Sequence, residues 1–196
     1  MHALAAARPD ARFVVTSQTL ASAEILPRRL PPDIARQQMA PIDTPAIVRR
    51  FLDHWKPDLG IFAESEIWPN ILVEASNRKV PLALVNARMS QRSFSRWRKR
   101  PSVALELFGR FDVVLAQNEK LARRFGELGA RQTVAAGNLK IDAPPPPVDA
   151  AALDGLKAAI GARPHYVAAS THDGEDQIIA AAHRAMSREV DGLITV

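Results

Sequence analysis

The stretch from Phe62 to Leu72 reads FAESEIWPNIL and sets two carboxylates, Glu64 and Glu66, between an apolar run and the pair Trp68-Pro69. Acids at such a junction can move protons, hold a substrate hydroxyl, or simply brace a loop and cap a helix. Glu64 closes the apolar run that begins at Asp58, so it should project at the carboxyl edge of a sheet, where α/β folds place their ligands. Glu66 stands near the helix that Pro69 opens, where a helix dipole would favour the charged carboxylate. Two acids in different environments can divide proton-transfer and hydrogen-bonding roles.

The same kind of edge recurs further along. NARMS (Asn86 to Ser90) and AQNE (Ala116 to Glu119) each put an asparagine after an apolar run, able to form a turn or to hold a sugar hydroxyl. GNLKID carries Lys140, a phosphate contact or a solvated lysine. ASTHDGED (Ala169 to Asp176) follows a strand pattern and opens a helix, so the Ser170 and Thr171 hydroxyls and nearby backbone N–H groups can receive a phosphate or a sugar acid. His172 lies in that turn, where a lone histidine is structural more often than not. Between Asn86 and Arg100 stand Arg88, Arg92, Arg96, Arg98, Lys99 and Arg100 with no acid, interleaved with Phe94 and Trp97. On a helix such a face lies on anionic headgroups or grips phosphates, or is only solvated.

The elements that must position these residues are legible from periodicity. Near-continuous apolar runs predict strands at Arg12 to Thr16, Asp58 to Glu64, Pro81 to Ala87, Asp112 to Asn118, Gln132 to Asn138 and Tyr166 to Thr171, as expected of a parallel sheet covered on both faces. GLITV at the end of the chain reads as one more strand, and Met1 to Ala7 as a helix. Thr44-Pro45 is an N-cap followed by proline at the first helical position, and Ile47, Val48, Phe51, Leu52 and Trp55 then share one face. Repeated β-α units predict a Rossmann-like, doubly wound parallel α/β domain over residues 1–142. Consecutive prolines within APPPPVDA predict a stiff linker at 143–149, and residues 150–196 then begin a second α/β domain. A series that opens on a helix and stops on a strand reads as truncated at both ends.

Composition bounds the partners. The chain has 196 residues, 47% hydrophobic, enough for a substantial core, and 26 Lys and Arg against 21 Asp and Glu give a formal net charge of +5. That excess suits anionic partners without choosing among them. With no cysteine, disulfides, thiolate metal sites and a thiol nucleophile are excluded. No apolar run approaches the roughly 20 residues that span a bilayer, so a soluble or peripheral chain is expected. The phosphate loop GxxxxGKS/T, the dinucleotide pattern GxGxxG, the GxSxG elbow and HExxH are all missing, and no nucleic-acid-binding module is visible.

Taken in order, ESEIWPN (Glu64 to Asn70), NARMSQRS (Asn86 to Ser93), AQNE, GNLKID and STHDGED (Ser170 to Asp176) closely resemble the Kdo transferases of lipopolysaccharide synthesis, over nearly the whole chain. The resemblance implies a two-domain GT-B glycosyltransferase, inverting and metal-independent. It would move 3-deoxy-D-manno-octulosonate from CMP-Kdo to a lipid A precursor, lipid IVA, at the cytoplasmic face of the bacterial inner membrane. No cofactor, no metal and no nucleic acid partner is implied. It gives Glu64 and Glu66 a role at the acceptor cleft, as catalytic candidates. Asn86, Arg88, Arg92 and Lys140 become substrate-binding candidates, with Arg88 and the basic helix facing acceptor phosphates or an anionic membrane surface. Ser170, Thr171, His172 and Glu175 fall on the donor side. The family's catalytic base, in a glycine-containing loop ending in Glu, and its membrane anchor would precede Met1, and further donor loops would follow Val196. The Thr-Pro-Thr-Gly-Ser type segment of the family reads here as SQTLAS (Ser17 to Ser22).

Two functions of different classes follow: an enzyme fragment of that family, or a non-catalytic module that uses the same domain and basic helix to bind anionic lipid or a membrane surface.

Overall fold

The computed structural model describes residues 2–142, 145 and 147–196. The proline-linker reading falls in part on Ala143, Pro144 and Pro146, which lie outside the described residues. The chain divides into two compact units, Met1–Ala143 and Pro144–Val196.

The first unit is α/β with parallel strands, as its sequence predicts. It runs α1 (His2–Ala7), β1 (Phe13–Ser17), α2 (Leu20–Arg29), β2 (Ala35–Met39), α3 (Pro45–Trp55), β3 (Gly60–Ala63) and α4 (Pro69–Asn77). It continues β4 (Leu82–Ala87), α5 (Gln91–Arg98), α6 (Pro101–Phe108), β5 (Val113–Ala116), α7 (Glu119–Glu127), β6 (Thr133–Ala135) and a 3-10 turn, Leu139–Asp142. Strands β3-β4-β5-β6 pair in that order, all parallel, in a four-stranded sheet, and β1-β2 form a separate parallel pair. Parallel strands all point one way, so the residues that follow β3, β4 and β5 gather at a single edge.

Strand β1 has the expected length, shifted by one residue, whereas β3 to β6 are shorter than their apolar runs. Only β4 is largely buried along its length, whereas Ile61 on β3 is 46% exposed. Strand β2, ARQQM, was invisible to periodicity because it carries no apolar run, and it is found only by its register on β1, Phe13↔Ala35 to Ser17↔Met39.

The core lies against the four-stranded sheet. Phe108, Phe111, Phe125, Leu72, Leu82, Leu84, Val48 and Val114 are fully buried, and each large side chain removed from water contributes about 1.5–3 kcal/mol. Helix α3 starts as its sequence predicts, with Thr44 extended as N-cap and Pro45 following, and it buries Val48 and Leu52. It stops at Lys56, whose left-handed backbone (φ 43°) still donates its N–H to the Leu52 carbonyl. Helix α7 is capped by Asn118, whose Oδ1 accepts from the Leu121 N–H at 3.0 Å, and it turns Leu121, Ala122 and Phe125 inward.

The second unit holds α8 (Ala150–Ile160), β7 (His165–Tyr166), α9 (Glu175–Met186) and β8 (Ile194–Thr195), with β7 and β8 parallel. The strand expected over Tyr166 to Thr171 is thus shorter, although the Ala168 N–H still donates to the Val196 carbonyl. None of its described residues is buried, so the packed core belongs to the first unit. Among the described residues, no helix is long and apolar enough to cross a membrane.

Candidate functional site

Glu64 stands one residue past β3 with a left-handed backbone, φ 59°. For a residue with a Cβ this conformation costs about 1 kcal/mol or more, and here β4 holds it in place. The Glu64 N–H donates to the Val85 carbonyl (2.9 Å), and the Glu64 carbonyl accepts from the Arg88 N–H (3.1 Å). The side chain is held as tightly. Its Oε2 accepts from Arg88 Nε at 2.7 Å, and its Oε1 lies 2.7 Å from Lys140 Nζ. The hydrogen bond from Lys140, and after it the one from Arg88, keep this carboxyl below the ordinary glutamate range, against a smaller opposing effect of burial. The carboxylate is 24% exposed, whereas Arg88 is 55% and Lys140 68% exposed, so the acid lies beneath two cations that face solvent. Two cations thus share the one carboxylate of Glu64.

Asn86 is what brings Lys140 there. It is buried (6% exposed), with φ 51°, a left-handed conformation that asparagine tolerates better than most residues. Its Oδ1 accepts from Gln117 Nε2 at 3.2 Å, at the end of β5, and from the Leu139 N–H at 3.1 Å. The 3-10 turn carrying Lys140 is therefore fastened to the ends of β4 and β5. Asn138 adds a bond from the Lys140 N–H to its Oδ1, 3.1 Å. Asn86 thus serves as a buried strut, bracing a turn as the first of its two sequence readings expects.

Glu66 does other work. Its Oε2 accepts from Gln18 Nε2 and from Trp68 Nε1, each at 2.7 Å, tying the residue after β1 to the loop before α4. The first turn of α4 is instead capped by Asp43, whose carboxylate accepts from the Asn70 N–H (3.1 Å) and the Ile71 N–H (3.0 Å). Sequence reasoning missed Asp43, Gln18 and Gln117, since each acts on an element distant in the chain. For Gln18 the only signal was its place in SQTLAS.

Arg92 lies exposed near the start of α5, outside the Glu64 cluster. Among the described residues, no carboxylate pairs with Arg92, Arg96, Arg98, Lys99 or Arg100. Phe94 is the buried residue of this helix, under Arg98 at 5.7 Å and Arg124 at 5.1 Å.

In the second unit Ser170 has φ 57°, and Glu175, the first residue of α9, reaches back so that its Oε2 accepts from the His172 N–H at 2.8 Å. The same oxygen lies 3.3 Å from His172 Nδ1. Thr171 lines a pocket of about 680 Å³ with Asp176, His183, Arg184 and Thr195. No group of three or more metal-ligating side chains forms among the described residues.

A family described as 3-deoxy-D-manno-octulosonic-acid transferase (kdotransferase) matches residues 1–143, the whole of the first unit. The chain belongs to the Kdo transferase family. It is similar to the 3-deoxy-D-manno-octulosonic acid transferase of Rickettsia bellii (strain RML369-C), 40% identical over 182 residues, covering 93% of this chain and 43% of that protein. It is also similar to the transferase of the same name from Rickettsia felis (strain ATCC VR-1525 / URRWXCal2), 41% identical over 171 residues, with 87% and 36% covered. That of Haemophilus influenzae (strain ATCC 51907 / DSM 11121 / KW20 / Rd) is 32% identical over 157 residues, with 79% and 37% covered. The chain thus spans about two-fifths of the length of these Kdo transferases.

Proposed function

We infer that the chain works in Kdo transfer for lipopolysaccharide synthesis, as part of a longer inverting, metal-independent glycosyltransferase. Residues 1–142 form the acceptor-side domain and residues 150–196 begin the domain for the CMP-Kdo donor. The observation that carries this reading is the cluster of Arg88, Glu64 and Lys140 at the carboxyl edge of the parallel sheet, in a chain of this family.

In such a transfer the acceptor hydroxyl attacks the anomeric carbon of Kdo, CMP leaves with the bonding pair, and the hydroxyl proton passes to a base. Glu64 is poorly suited to be that base. Both of its oxygens already accept from cations, which hold it ionised and lower its basicity. It acts instead by fixing Arg88 and Lys140 in place to receive anionic groups of the substrates, a preorganised electrostatic role. Asn86 supports Lys140 from beneath, Glu66 holds the loop beside the cluster, and Arg92 extends the positive surface toward the acceptor, a lipid A precursor such as lipid IVA. On the donor side, Ser170, Thr171 and His172 receive the sugar acid or phosphate of CMP-Kdo, and Glu175 holds the turn by accepting from the His172 N–H.

The anionic leaflet at the cytoplasmic face of the inner membrane is the partner of α5. Its arginines lack acidic partners among the described residues, and Val103 (46%) and Leu105 (61%) are exposed on the adjoining α6. A chain extended to the length of its relatives tests the reading. Replacing Lys140 by Met should cut Kdo transfer from CMP-Kdo by about 10-fold or more while the protein stays folded. Undiminished transfer would remove the cluster from the site.

A further inference from the structure

Arg124, on α7, is only 9% exposed, yet among the described residues it pairs with no carboxylate. Withdrawing an unpaired charge from water is costly, and a methionine or leucine would pack against Phe94 without that cost. What the guanidinium supplies, and an apolar side chain lacks, is a rigid fork of directed donors. The fork is aimed at one short segment. Its Nη1 donates to the Met89 carbonyl at 3.1 Å and its Nη2 to Gln91 Oε1, while the planar group lies over the Phe94 ring, 5.1 Å from the centroid. Ser90, between the two acceptors, is the N-cap of α5 and accepts from the Ser93 N–H at 3.1 Å. The Gln91 amide donates to Ser95 Oγ at 3.3 Å, which turns its oxygen toward Arg124.

Immediately before this segment stands Arg88. Glu64 holds it from the β3 side, through the Arg88 N–H at 3.1 Å and Nε at 2.7 Å. Arg124 holds the next residues from the α7 side, so residues 88–91 are fastened at both ends to elements that are not their neighbours in the chain. The two ends differ in strength. The Arg88 side chain is 55% exposed, and an ion pair open to water contributes little by itself. Hydrogen bonds from a buried charged donor are the stronger kind, which makes Arg124 the firmer end.

We propose that Arg124 is a positioning residue, whose fork locks Met89 to Gln91 and so holds Arg88 against Glu64. Its part in Kdo transfer rests on the glycosyltransfer reading above; the locking of Arg88 does not, and is measured without any transfer.

The test is amide hydrogen exchange of this chain, comparing the Arg88 N–H with the Val114 N–H, which donates to the Gln132 carbonyl at 2.8 Å within the sheet and reports global stability. Arg124→Met keeps the bulk over Phe94 and removes the fork. Exchange at Arg88 should then quicken by about 10-fold or more relative to Val114. Arg124→Lys keeps the charge without the fork and should recover little of the protection. Gln91→Leu removes one acceptor from the exposed end of the clamp and should quicken Arg88 by about 3-fold, which gives the answer even if Arg124→Met does not fold. Equal changes at Arg88 and Val114 would make Arg124 a general buttress and overturn the proposal, as would full protection in Arg124→Lys or an unchanged Arg88 in Gln91→Leu. In the chain extended to the length of its relatives, a folded Arg124→Met should transfer Kdo about 10-fold more slowly. If Arg88 loosens as stated but transfer is undiminished, the lock on Arg88 stands and the part of Arg88 in transfer falls.

Discussion

Lys140 and Glu64 meet at 2.7 Å at the carboxyl edge of the sheet, and Arg88 takes the other oxygen of the same carboxylate at the same distance. Asn86 fastens the turn carrying Lys140 to the end of β4, and Gln117 at the end of β5 donates to the same Asn86 oxygen. A contact so distant in sequence depends on the whole sheet being assembled, and it can be read by titration.

The Glu64 carboxyl is lowered below its ordinary range, so its unfolded pKa exceeds its folded one. The stability it contributes is therefore fully present above the unfolded value and is lost as pH falls through the folded value. The melting-temperature gap between the parent and Glu64→Gln should be widest near pH 7 and should close on acidification below the ordinary glutamate range. A gap that stays constant from pH 7 to pH 3 would show that the ion pairs contribute nothing.

Asn86→Ala should be costly for two reasons: it strands the Leu139 N–H and the Gln117 amide, and it places alanine at a left-handed φ. Together these should lower unfolding free energy by about 1–3 kcal/mol, measured by urea denaturation. The substitution should also free Lys140, so the Glu64 carboxyl followed by carbon-13 NMR should titrate closer to ordinary glutamate than in the parent. A Glu64 titration that does not move would mean that Asn86 does not position Lys140.

Asp43 accepts from two N–H groups in the first turn of α4. Asp43→Ala should destabilise the first unit by about 0.5–2 kcal/mol, the usual cost of losing a cap. Glu66→Gln should cost less, since a glutamine oxygen can still accept from Trp68 and Gln18. Thermal melts of the two variants give the order, and a larger loss from Glu66→Gln would reverse the assignment of the cap.

Replacing Arg92, Arg96, Arg98 and Arg100 together with Gln should weaken binding to anionic vesicles, at about 1 kcal/mol per charge near the surface. Binding by the parent should fall steeply with salt. Flotation with anionic and neutral vesicles checks it, and equal binding by parent and variant at low salt would remove the membrane role of α5.

Much of this was legible in sequence where local chemistry decides structure. Thr44-Pro45 marked the start of α3 and Pro69 that of α4, since proline at the first helical position needs no distant partner. The apolar runs located β1, β3, β4, β5 and β6 but overran the last four, because periodicity reports burial and does not report where a ladder stops. ARQQM was unreadable as a strand: its polar side chains are placed by pairing with β1 alone. At the site, the order of motifs named Glu64, Arg88, Asn86 and Lys140. What each does depends on contacts made through the sheet. Hence the sequence left Glu64 open between proton transfer, hydroxyl binding and loop bracing until its two cations were in view, and it marked Asn86 as a turn former without showing which turn it braces.

That the cluster of Arg88, Glu64 and Lys140 serves Kdo transfer is tested most directly by Kdo transfer from CMP-Kdo to a lipid A precursor, in the chain extended to the length of its relatives, comparing Glu64→Gln with the parent. Turnover should fall by about 10²-fold or more, the scale of losing a preorganised electrostatic element, while Glu66→Gln keeps most of it and both variants stay folded by thermal melt. Full transfer by a folded Glu64→Gln would contradict it and leave the carboxylate as a brace at the end of a strand.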